Sequence, residues 1–151
     1  MSRPLLNQLK ELKDIYQSYL DKTRGLTHEQ FNRQPAAGQW SAGQVLYHLW
    51  SSSDFTQTFM DRRLAEKKVA RPTGIKTTFR NIILHLALAS PLKFKAPKAL
   101  RPMPDEVRYD EMETAFKNNV AVLEKLLNNF PAELENKEIF KHPRIGYINA
   151  S

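Results

Sequence analysis

The chain has 151 residues, enough for one compact domain around one apolar core, so residues 1–151 are expected to fold as a single unit. It contains no cysteine, which excludes disulfides, thiolate zinc sites and a cysteine nucleophile on this chain. A formal net charge of +7 suits acidic partners or a merely soluble surface, and 41% hydrophobic with 26% charged residues is the balance of an ordinary globular protein.

In chain order, residues 4–23 read as a first long helix, because Leu5, Leu9, Leu12, Tyr16, Tyr19 and Leu20 recur at three- and four-residue steps. Gly25 is its expected stop. Thr27-His28-Glu29-Gln30 has the form of a capping box and opens a short helical turn before Pro35. Residues 35–39 are a connector. Ser41-Ala42-Gly43-Gln44 is a second capping box, opening a helix over 42–66 with Val45, Leu46, Leu49, Phe55, Phe59 and Met60 on its apolar side. Trp40, just before that cap, is expected to fold over the helix start as a core ring.

Pro72 and Gly74 break the pattern. A third, strongly apolar helix is predicted over 77–89 and ended by Pro91. Residues 90–104, with four prolines and a run of lysines, read as an extended basic linker. Asp110-Glu111-Met112-Glu113 is a third capping box, leading a helix to about Phe130 with Met112, Phe116, Val120, Leu123 and Leu127 in line. Residues 132–151 carry too little periodicity for a long helix and read as loop. No hairpin signature is evident. The longest apolar run, 82–89, is far short of the roughly 20 residues a membrane span needs. The chain start has no apolar signal segment, so a cytoplasmic location is expected.

Four histidines are the candidates for metal chemistry. Helical metal sites want donors three or four residues apart, or converging from different helices. His48 has Gln44, Val45, Ser51 and Ser52 at those offsets, and His85 sits in the apolar helix among leucines. His28 lies in a capped turn. His142 has Glu138 four residues before it. No single helix therefore supplies a donor pair, while convergence of His48 with His85 or His142 stays open. His85 and His142 read more simply as satisfied structural residues, and Glu111 and Glu113 as helix-start acids. The chain has no GxSxG, HExxH or phosphate-binding glycine loop.

Three stretches carry a family likeness. They are Gln39-Trp40-Ser41-Ala42-Gly43-Gln44-Val45-Leu46-Tyr47-His48-Leu49, then Leu92-Lys93-Phe94-Lys95-Ala96-Pro97, then Phe140-Lys141-His142-Pro143-Arg144-Ile145-Gly146. Together they resemble the DinB-like superfamily, in particular its YfiT-like branch. The resemblance implies an all-α fold, an up-down-down-up four-helix bundle. It also implies a divalent metal, zinc or nickel, held by three histidines. Members of the family include hydrolases and thiol transferases that act with bacillithiol or mycothiol.

By this resemblance His48 matches the first ligand position. The family's other two ligands lie as HxxxH on a last helix after the HPxxG turn, and the sequence ends at Ser151, where that helix is expected to begin. The expectation is a bundle truncated before its last helix, with an incomplete ligand set. An uncovered apolar stripe would then favour a homodimer. The competing reading is a non-catalytic dimeric binding protein that docks an acidic partner on its basic linker and apolar helix. Specific nucleic-acid recognition is not expected, since the basic residues do not gather on one helix. The motifs do not name the small-molecule substrate.

Overall fold

The computed structural model describes residues 3–65, 71–72, 74, 79, 102–134, 137–142 and 146–149. Four α-helices carry the fold: α1 (Arg3–Thr23), α2 (His28–Asn32), α3 (Ala42–Ala65) and α4 (Tyr109–Asn128). A small antiparallel sheet accompanies them, with β1 (Arg71–Pro72) against β2 (Lys137–His142), and β2 against β3 (Gly146–Asn149). The expected all-α bundle is present in its three long helices. No described helix is long and apolar enough to cross a membrane. The predicted apolar helix at 77–89, most of the 90–104 linker and His85 lie outside the described residues.

The apolar stripe of α1 is real at Leu5, Leu9, Tyr16 and Leu20, all buried. Tyr19, placed on the same stripe by spacing, is instead 41% exposed, because it lies one position off the buried Leu20 and turns to solvent. The helix ends where Thr23 Oγ1 donates back to Tyr19 O at 2.8 Å, and Leu26 N donates to Thr23 O across Gly25.

Two apolar clusters make the core. One joins Tyr16 and Leu20 of α1 to Phe31 of α2, Leu46 of α3 and Val107, Met112 and Phe116 in and before α4. The other joins Leu5 and Leu9 to Met60 of α3 and Leu126, Leu127 and Phe130 around the end of α4. This membership fixes direction. The starts of α3 and α4 meet in one cluster and their ends in the other, so the two helices run parallel, and α1 runs antiparallel to both. Parallel neighbours need a long crossover, which the stretch 66–108 supplies. Parallel helices also align their dipoles, and the charges offset this: Asp110 and Glu111 lie in the first turn of α4, with Arg62, Arg63 and Lys125 in the last turns.

Two expectations for the second half of the chain need correction. The third capping box does not form. The cap residue of α4 is Arg108, with no side-chain cap bond, and Asp110 sits inside the first turn with its carboxylate taken by Arg108 at 2.8 and 3.2 Å. The segment read as loop holds the β2–β3 pair, in register from Glu138 opposite Asn149 to His142 opposite Gly146, with an irregularity between Glu138 and Phe140. Strand β2 packs against α3, and Glu138 is buried there. A charged strand, Lys-Glu-Ile-Phe-Lys-His, followed by Pro-Arg-Ile instead of an Asn-Gly turn, hides this hairpin from pattern reading.

Candidate functional site

The start of α3 is the most tightly specified part of the molecule. Ser41, fully buried, accepts from the Gln44 amide on Oγ at 3.1 Å, while Gln44 Oε1 accepts from the Ser41 amide at 3.1 Å. The predicted capping box is therefore complete. Gln44 spends its remaining group outside the box, with Nε2 donating to Pro104 O at 3.0 Å. Asn32 clamps the same segment: its Oδ1 accepts from Val107 N at 2.8 Å and its Nδ2 donates to Val107 O at 3.0 Å. Phe31 and Val107 close over Gly43. A Cβ there would lie 2.9 Å from Phe31 and 3.0 Å from Val107, so only glycine lets the three elements meet so closely.

His48 stands on α3 nearly two turns beyond this cap, half-buried, with its ring 4.8 Å from that of Trp40 and tilted 49° to it. Trp40 does fold back over the helix start. It is not a core ring, however: it is 39% exposed, with one side on His48 and the rest in solvent. Partial burial pushes the His48 imidazole below its ordinary value of 6.5. At neutral pH the ring is therefore uncharged, the state in which histidine binds a metal.

The other candidates are placed elsewhere. His28 Nε2 lies 3.4 Å from Glu106 and its Nδ1 3.4 Å from Asn32, an exposed cluster that ties α2 to the segment before α4. His142 ends β2 opposite Gly146. Glu111 pairs with Arg108, and Glu113 with Arg24 and Lys117. No group of three histidine, cysteine, aspartate or glutamate side chains comes together among the described residues.

Spacing did not reveal a polar layer between the two apolar clusters. Ser53 and Gln57 of α3 meet Asn119 of α4: Ser53 Oγ donates to Asn119 Oδ1 at 2.8 Å, and Gln57 Nε2 donates to Asn119 O at 2.8 Å. Tyr16 of α1 joins through a hydrogen bond with Ser53, which partly offsets the upward push that burial gives its phenol. Gln57 and Asn119 are buried, yet Asn119 Nδ2 has no acceptor among the described residues.

This layer floors a groove of about 770 Å³ between α3 and α4. Its walls include Trp50, Asp61 and Leu64 on one side, with Val122, Lys125 and Leu126 on the other. The sequence signal for it was available in retrospect: Gln57 and Asn119 interrupt the apolar sides of α3 and α4.

Comparison with known proteins gives one match. The sequence profile of the DinB superfamily covers residues 11–136. No curated protein and no solved structure matches the chain.

Proposed function

The chain belongs to the DinB superfamily, and from that premise we propose that it derives from metal-dependent hydrolases or thiol transferases and binds a divalent cation, zinc or nickel, with His48 as one ligand. The observation that carries this reading is the state of His48: uncharged at neutral pH, half-buried, and held against Trp40 on a firmly capped helix. The described residues do not complete a catalytic donor set, for which three protein ligands are usual. No reaction step is therefore assigned through a metal.

Titration of the purified chain with zinc or nickel tests the proposal. Metal content should approach one equivalent and fall in His48→Gln while the helical spectrum is unchanged. Less than about a tenth of an equivalent in the unmutated chain, against the full occupancy of a tight site, sinks the reading.

A second reading is favoured by the missing third ligand and by exposed apolar residues on two helices. Leu6 and Ile15 of α1 and Val122 of α4 are each close to half exposed. In it the chain is a non-catalytic homodimeric binding protein. Sedimentation equilibrium separates the two readings: a metal-free dimer at micromolar concentration supports the second, and a metal-loaded monomer the first.

A further inference from the structure

We propose that the groove between α3 and α4 is a binding site for a small zwitterion, an α-amino carboxylate of amino-acid to dipeptide size, whose carboxylate is received by Asn119 and Lys125 and whose ammonium is received by Asp61. The proposal is independent of His48, which does not line this groove.

Three observations converge on it. The first is the unspent donor. Asn119 is 96% withdrawn from solvent (4% exposed) and lines the groove, with its Oδ1 and backbone carbonyl both engaged and its Nδ2 without an acceptor among the described residues. A buried amide donor left unmet is costly, and an incoming carboxylate oxygen is the strongest acceptor that can relieve it. A turn of about 30° about the broad terminal torsion of the side chain brings Nδ2 toward the groove.

The second is the pair of charges on opposite walls. Asp61 of α3 and Lys125 of α4 both line the groove, and neither forms an ion pair among the described residues. They stand at the same height. Met60, next to Asp61, shares a cluster with Leu126, next to Lys125, so the two charges face each other across the gap without closing it. Asp54, on the same wall as Asp61, already has a partner and is not needed.

The third is reach. Lys125 lies six residues beyond Asn119, roughly 9 Å along the axis at the α-helical rise. Helical side chains lean toward the N-terminus, so the long lysine stem points back toward the amide. A carboxylate can then take both donors while its own ammonium faces the α3 wall. The groove volume falls in the range of small-molecule sites, roughly 300–1,000 Å³, and Val122 and Leu126 give it an apolar patch for a small side chain.

The experiment is a titration of the full-length ¹⁵N-labelled chain with alanyl-alanine, its N-acetylated form and its C-terminal amide, read on the Asn119 side-chain resonances. Saturable shifts with the free dipeptide, and binding weakened about tenfold or more in each blocked form, are the expected result for loss of one charged partner. Lys125→Gln should discriminate against the carboxylate and Asp61→Asn against the ammonium. Both are exposed positions, so folding is preserved even if Asn119→Leu disturbs the core. Absence of saturable shifts at Asn119, or binding that ignores both charge substitutions, overturns the proposal.

Discussion

The junction at the start of α3 and the polar layer at its middle are both built from buried amides and hydroxyls, yet they are finished differently. At the junction every polar group is spent: Ser41 and Gln44 satisfy each other, Gln44 also reaches Pro104, and Asn32 serves both backbone groups of Val107. In the layer, Tyr16, Ser53, Gln57 and Asn119 form a connected chain that ends in an unmet donor. The difference follows from what each has to fix. The junction joins a connector, a five-residue helix and the segment before α4, none of which can hold its own backbone bonds. Side chains must stand in for them. The layer lies between helices whose backbones are already satisfied, so its task is register between the parallel pair α3 and α4, and register tolerates a group left over. The leftover group is the one that faces a groove.

Breaking the junction should cost most. Phe31 is 1% exposed, packs edge-on against Tyr109 with centroids 5.9 Å apart, and covers Gly43. Phe31→Ala leaves a cavity that the polar clamp around it cannot collapse to fill. The expected loss is about 3–5 kcal/mol, typical of a buried phenylalanine, measured by urea unfolding at constant m-value. Next is Gln44→Ala, which removes half the capping box and the bond to Pro104 in one step. It should cost about 2 kcal/mol, more than a solvent-exposed cap, because the acceptor it abandons is partly buried. A loss below about 0.5 kcal/mol, within the range of a surface change, would show that the junction is held by packing alone.

How much of this was legible from sequence depends on whether a feature is local. The capping boxes at Thr27 and Ser41 are read from four adjacent residues, and both form with the expected bonds. The box at Asp110 has the same pattern and fails, since Arg108 lies two residues away and takes the carboxylate first. Leu5, Leu9, Leu46, Phe116 and Leu127 were recognisable as core from their period, and all are buried. Apolar period says nothing about Gln57 and Asn119, which interrupt the pattern and look like surface. Their burial is decided by the pairing of α3 with α4, a contact across the long 66–108 crossover. His48 could be picked out through its motif, but the partial exposure of Trp40 beside it could not, because the staple geometry does not say how much of the ring the rest of the fold covers.

The layer should respond more mildly than the junction. Asn119→Leu removes an unmet buried donor and at the same time deprives Ser53 and its neighbours of an acceptor. The two effects oppose each other, and the Gln57 bond goes to the backbone carbonyl and survives. Stability should change by no more than about 1 kcal/mol, the net value of an ordinary hydrogen bond. A loss matching that of Gln44→Ala would show that the amide is fully engaged after all, and the contrast between the two regions would disappear.

The smallest effect should appear only in alkali, at Tyr16. Burial raises its phenol above the ordinary value of 10.0, and the hydrogen bond with Ser53 draws it back only in part. The unfolded chain therefore releases this proton first as the pH climbs past 10.0. Above that point the folded state holds a proton that the unfolded state has lost. The stability contributed by the buried neutral phenol is whole below 10.0 and declines as the pH rises toward the folded value. Lysines titrate in the same region, so the informative quantity is the difference between the parent chain and Tyr16→Phe. Phenylalanine keeps the ring against Phe116, 4.2 Å away between centroids, and removes only the hydroxyl. The variant should be slightly less stable at neutral pH and should lose stability less steeply in alkali, so the two melting curves converge as the pH increases. Parallel curves would mean that the Tyr16 hydroxyl is open to water, and the layer would then lack its α1 member.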